Sequence, residues 1–240
     1  MKRTVIVAVV LLLASTLASA NTLVVPNAQA TTAGNAPQGV NSRPSFEFQE
    51  DFGRGQFLWV GSPLLITQIA FRAAPGTGPI DVTVGTFSIY LSTSPYYPNT
   101  INGHQLITSN YGANIGPDNT RVLSGGPGTF FSSPGCATPG PCAFDMIFNL
   151  TRPFLYDPTK GTLLMDTHFT EWRGSGFLDG ENFFSLPGGS VAQVSPSDNV
   201  NLNGPIVQFG FTPVPEPASM TLVATGLAAI SCFIRQKLVR

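Results

Sequence analysis

Asp166 and His168 stand two residues apart in the stretch MDTHF, a spacing that puts both side chains on one face of a strand. With Glu171 just beyond, one imidazole and two carboxylates offer the donor set of a divalent-metal site. An ordinary polar sheet face carries the same residue types, and that plainer reading is preferred, so no metal is assigned. The chain's other histidine, His104, lies in INGHQL, read as a loop. DGEN, Asp179 to Asn182, carries carboxylates but lacks the spaced ligands of a calcium loop, and an ordinary polar turn is expected. The sequence has no Gly-x-Ser-x-Gly elbow, no pair of histidines flanking a glutamate at helical spacing, and no phosphate loop. GRG at Gly53–Gly55 and GSG at Gly174–Gly176 are simple turns. A glycosidase needs two carboxylates at a set separation, and nothing singles out a pair among the scattered acidic residues. No catalytic residue and no cofactor is assigned.

Aromatic rings suggest a different chemistry, stacking on the apolar faces of sugars. Trp59, Trp172, Tyr90, Tyr96, Tyr97 and Tyr111 are the candidates. SPYYPN, Ser94 to Asn99, reads as a loop tip, so Tyr96 and Tyr97 are the favoured glycan contacts. The competing reading packs all these rings into core and loops. Cys136 and Cys142 flank the turn-rich ATPGP and are candidates for a disulfide worth about 2 kcal/mol by loop entropy, in preference to two free thiols. Cys232 lies within an apolar run and is read as a small filler.

The elements that must position these residues are strands. In LLITQIAFR the alternation groups Leu65, Thr67, Ile69 and Phe71 on one face. TFSIYLS gives Phe87, Ile89 and Leu91. FDMIFNL gives Phe144, Met146, Phe148 and Leu150, with Asp145 and Asn149 opposite, and IVQFGF gives Val207, Phe209 and Phe211. GTLLMDTHF follows the turn DPTKG as a further strand. Strands with one apolar and one polar face belong to antiparallel sheets packed in pairs. No sustained helical spacing occurs between residues 46 and 212. The fold class is therefore all-β, an antiparallel β-sandwich over residues 46–212. Residues 21–45, rich in small polar residues, Pro and Gly, read as a flexible linker or frayed arm.

Both ends of the chain look like processing segments. Lys2 and Arg3 precede an unbroken apolar run from Val5 to Leu13, and Ala18-Ser19-Ala20 supplies small residues at a cleavage site. Residues 1–20 are thus a secretory signal peptide, cut by signal peptidase after Ala20. Lys2, Arg3, Arg235, Lys237 and Arg240 account for five of the twelve cationic residues. Seven remain between the ends, against twelve of the thirteen acidic ones, a net charge of −5. No basic patch or stripe appears, which argues against nucleic acid as a partner.

At the C-terminus, Val214, Pro215, Glu216 and Pro217 precede a charge-free run from Ala218 to Ile234. As a helix this run would be about 26 Å long, the short edge of what crosses a bilayer core. Arg235, Lys237 and Arg240 follow as a basic tail and would hold that end in the cytoplasm. Pro215 and Pro217 keep the segment before the helix extended, with Glu216 displayed between them.

This three-part ending resembles the PEP-CTERM sorting signal of Gram-negative bacteria, over residues 213–240. The resemblance implies an exosortase as processing partner, a transient stay in the inner membrane, and passage toward the cell surface or an exopolysaccharide matrix. ITQIAFR, FSIYLST, ANIGPDNTRVLSG and RPFLYDPTKGTLLMD are similar to domains carried ahead of such signals. That resemblance implies a jelly-roll-like β-sandwich with no established enzymatic activity. The expectation is an exported non-enzymatic surface or matrix protein. The alternatives are an exported polysaccharide hydrolase and a permanently anchored periplasmic protein.

Overall fold

The computed structural model describes residues 21–61, 63–98, 107–182, 191–194, 200–201 and 203–214. In chain order the strands are β1 (Asn21–Val25), β2 (Gln38–Gly39), β3 (Arg43–Phe52), β4 (Leu64–Phe71), β5 (Ile80–Val84), β6 (Thr86–Ser94), β7 (Thr120–Gly125) and β8 (Thr129–Ser133). They continue with β9 (Met146–Tyr156), β10 (Thr162–Ser175), β11 (Phe177–Leu178), β12 (Gly180–Asn182), β13 (Val191–Val194), β14 (Val200–Asn201), β15 (Asn203–Pro205) and β16 (Val207–Pro213). The single α-helix among the described residues is one turn, Tyr111–Asn114.

Of the two main sheets, one runs β1-β16-β4-β9 and the larger β14-β13-β3-β10-β5-β8, with β6 also pairing with β10 and then with β7; β11 with β2 and β12 with β15 form two short ribbons. The long-range pairs are nested: β6 with β7, β4 with β9, β3 with β10, β1 with β16, each antiparallel. The core lies between the two sheets, where Phe52 meets Phe209 edge-on at 5.1 Å and Phe57 meets Tyr156 at 5.0 Å. The protein is all-β, with mostly antiparallel, sandwich-like sheets.

Alternation selects the buried face wherever a strand is regular. Phe87, Ile89 and Leu91 are buried, as are Val207, Phe209 and Phe211, and Met146 and Phe148. Leu150 is only half-buried. In β4 the expected set is half wrong. Leu64, Ile66, Ile69 and Phe71 are buried, whereas Leu65 and Thr67 are half-exposed. Thr67 is an extra residue: Ile66 pairs with Phe211 and Gln68 with the adjacent Gly210, leaving Thr67 unopposed on β16. On the other side Ile66 pairs with Phe154 and Gln68 with Asn149, so Leu150–Pro153 bulge out of β9. A bulge shifts a period-two pattern by one residue, and the face changes there.

A second irregularity bends the larger sheet. β5 and β6 run as one strand along β10, pairing with Arg173–Ser175 and Thr162–Thr170 respectively. Between them Glu171 takes φ 47°, and Gly85 faces it. A Cβ on Gly85 would come within 3.1 Å of the Glu171 Cβ, so a side chain there would block the corner.

The reading of residues 21–45 as a flexible linker needs correction. Asn21–Val25 is β1, fully paired with β16, and Leu23, Val24 and Val25 are buried. Farther along, Gly34 packs directly on the backbone of Gly180, and Ala36 N–H donates to Gly180 O at 2.9 Å. The segment's small residues are what such close approach requires, and composition alone does not separate this from looseness. The segments expected to be a signal peptide (1–20) and a membrane span (Ala218–Ile234), and also His104, lie outside the described residues. No helix among those described is long and apolar enough to cross a membrane.

Candidate functional site

The sorting end begins where the sheet stops. β16 is an interior strand, held by β1 on one side and β4 on the other. Beyond it Val214 N–H still donates to Pro63 O at 2.9 Å. Val214 is thus attached to the folded body, and Pro215, Glu216, Pro217, Arg235, Lys237 and Arg240 lie outside the described residues.

Of the aromatic candidates, Trp59 is the one on display. It sits in the 3-10 turn Leu58–Val60, closed by Gly61 in the left-handed conformation (φ 74°), and is 64% exposed. It borders a shallow groove of about 390 Å³ that Thr22, Asn27 and Gln208 also line. Asn27 is fixed by Gln56, which accepts from its backbone N–H (2.7 Å) and its Nδ2 (2.9 Å), while its Oδ1 has no hydrogen-bond partner. An exposed indole beside the Gln208 amide and the Thr22 hydroxyl can stack on a sugar face while bonding its hydroxyl groups.

Tyr96 and Tyr97, expected at a loop tip, are both half-buried. Thr162 hydroxyl donates to Tyr96 O (2.8 Å), Ile107 N–H to Tyr97 O (3.1 Å), and the Arg54 guanidinium lies 5.5 Å from the Tyr97 ring centre. Trp172 donates its indole N–H to Val40 O (3.2 Å) and packs edge-on to Phe169. It helps line a second, apolar cavity of about 270 Å³ between the sheets, with Phe46, Phe48, Phe71 and Phe148. Tyr111 hydroxyl donates to Glu47 O at 3.1 Å.

Cys136 and Cys142 form a disulfide, with Cα atoms 5.4 Å apart. DGEN is not a surface turn: Asp179 and Glu181 are both buried. Asp179 Oδ2 accepts from Arg72 Nε at 2.7 Å and its Oδ1 from Gly34 N–H at 2.9 Å. Arg72 also donates to Gln29 O and Thr32 O, and Phe144 stacks over its guanidinium at 4.7 Å. Glu181 Oε2 accepts from Gln29 Nε2 and Asn35 N–H. Together these groups clamp the N-terminal arm to the body. Arg72 stood unremarked in ITQIAFR because its partner lies far along the chain.

Asp166 and His168 do share a face of β10. Glu171 does not join them: the third member is Glu47, brought alongside by β3, where it pairs with His168. His168 Nε2 is 3.1 Å from Asp166 Oδ2, and His168 Nδ1 is 3.7 Å from Glu47 Oε2. One ligand atom from each lies within 4.8 Å of the others. Asp166 is only 3% exposed, and its Oδ1 has no hydrogen-bond partner. Its hydrogen bond raises the pKa of His168, burial opposing; burial, then the Asp166 charge, raises that of Glu47. Sequence spacing could find the first two residues, not the third, which comes from another strand.

Among known proteins, residues 213–236 match the PEP-CTERM protein-sorting motif. The chain carries this motif, which implies export, membrane-associated processing and an exosortase as the processing enzyme. No curated protein matches the chain. Two solved viral structures show slight likeness. The D431N mutant VP2 protein of infectious bursal disease virus is 11% identical with a TM-score of 0.18, over 88% of this chain and 48% of that one. The same virus's Gx strain structure is 13% identical with a TM-score of 0.20, over 90% and 49%. The chain spans about half the length of these two viral chains, and similarity at this level defines neither fold nor function.

Proposed function

We propose that this chain is a non-enzymatic surface or matrix protein, delivered by its C-terminal signal and contacting extracellular glycan through its sandwich. The observation that carries the delivery half is the motif match at residues 213–236, set directly behind the last strand. On this reading the span holds the precursor in the inner membrane. The exosortase then acts near Pro215-Glu216-Pro217, and the folded body moves to the cell surface or the exopolysaccharide matrix. The nested strand pairing supports taking the body as jelly-roll-like, an architecture shared with lectin domains.

The glycan half rests on the groove at Trp59 rather than on Tyr96 and Tyr97. Base–ring and sugar–ring stacking both need an open face, and Trp59 has one while the tyrosines are half-covered. A hydrolase reading is less well supported. Among the described residues Glu47 and Asp166 are an acidic pair beside a histidine, but their ligand oxygens lie within 4.8 Å of each other. Two carboxylates this close are nearer than the separation a glycosidase pair keeps around its glycosidic bond.

Replacing Glu216 with Ala and following size and location tests delivery. An unprocessed form should accumulate at the inner membrane, and normal processing of the variant would refute the sorting role of the motif. Retention of Arg240 on the steady-state wild-type protein would instead favour a permanent anchor. Binding to the host's own exopolysaccharide tests the second half. Trp59→Ala should weaken it at least tenfold, and Tyr96→Ala with Tyr97→Ala should leave it nearly unchanged.

A further inference from the structure

We propose that Glu47, Asp166 and His168 form a binding site for one divalent transition-metal ion on the outer face of the larger sheet. The site is built by sheet register. Glu47 on β3 lies directly across from His168 on β10, and Asp166 is two residues along the same face. Three side chains therefore converge from two adjacent strands, each fixed at its backbone by ladder hydrogen bonds. Their ligand atoms lie within 4.8 Å of one another, the separation at which a single ion can be reached by modest rotamer adjustment.

A second observation is independent of the clustering. Asp166 is nearly fully buried, yet its Oδ1 has no hydrogen-bond partner. A buried carboxylate oxygen left bare costs on the order of 1–3 kcal/mol. A cation that takes Oδ1 as a ligand removes that cost and also the repulsion between Asp166 and Glu47. The surroundings offer little competition. Gln49, the next outer-face residue on β3, is committed: its Nε2 donates to Tyr111 O and its Oε1 accepts from Asn114. Tyr90, across from Asp166 on β6, sets its ring edge-on to His168 at 5.4 Å and walls one side. His168 and Glu47 retain partial exposure, 42% and 34% of their side chains, so an ion can enter and keep water ligands.

One imidazole and two carboxylates, with no thiolate, select for intermediate-to-hard ions such as Zn²⁺ or Mn²⁺. Zn²⁺ is the sharper probe because it binds such sets more tightly. The test is calorimetric titration of the tag-free, metal-stripped full chain with zinc chloride at pH 7.5, with thermal unfolding followed in parallel. One equivalent should bind and raise Tm. His168→Ala and Glu47→Gln should each weaken binding at least tenfold and abolish the Tm rise, and Asp166→Asn should do the same if it folds. His104→Ala, which removes the chain's other histidine, should leave both signals intact. Absence of saturable binding would overturn the proposal. So would binding that survives in the folded His168→Ala protein, or that is lost only in His104→Ala.

Discussion

Two groups of buried charge in this protein are handled in opposite ways. At the N-terminal arm, Arg72, Asp179 and Glu181 are packed among backbone donors and acceptors, and the charges of Arg72 and Asp179 meet at 2.7 Å. On β3, Glu50 is fully buried beside the core phenylalanines and neither of its oxygens has a hydrogen-bond partner. Burial pushes both Glu50 and its neighbour Asp51 well above the ordinary carboxylate range, with Thr162 opposing the shift at Asp51 only in part. A charge that has partners fastens chain segments together. A carboxyl that has none gives up its charge and makes stability depend on pH.

The largest effect should come from breaking the partnered group. Arg72→Met leaves Asp179 buried without its cation, at a cost of about 3–5 kcal/mol in urea denaturation. The arm, including β1, should then become open to proteolysis. If the arm stays protected, the clamp is not what holds it.

The unpartnered group should respond in the opposite direction. A carboxyl whose pKa is higher in the folded state binds its proton more tightly there. Its contribution is therefore fully present below the unfolded-state pKa, near 4, and declines as pH rises toward the folded value. Each such group gives a slope of up to about −1.4 kcal/mol per pH unit in that window. Glu50→Gln should raise stability at pH 7 and flatten this slope. An unchanged pH profile would show that Glu50 keeps its charge in the fold.

The disulfide offers a smaller test. Cys142 lies two residues before Phe144, the ring that covers the Arg72 guanidinium. Reduction should cost about 2 kcal/mol by loop entropy. If the clamp depends on that ring, the loss in the Arg72→Met background should be smaller than in the wild type. Smallest of all, Trp59→Ala should change stability by less than about 0.5 kcal/mol, since little of its ring is buried.

The strand content of the middle was legible, because regular strands such as Thr86–Ser94 and Val207–Pro213 bury every second residue. The β4 face was legible only beyond Thr67, where a bulge of one residue changes the phase. The arm was misread because packing against Gly180 and disordered linkage favour the same small residues. The second acidic member of the histidine cluster was misassigned because Glu171 is near in sequence but sits at the corner of β10, while Glu47 is near only through register.

The sequence by itself determined the local things: alternation within strands, the small-loop cysteine pair and the linear motif at residues 213–236. A linear motif is recognised from the order of its residues, so its information is complete in the sequence. Only the tertiary structure decided which charges meet. Arg72 with Asp179, and Glu47 with His168, are joined by strand pairings between distant segments. Register between such segments follows from how whole sheets bury their faces, a property of the assembled core that no short stretch contains.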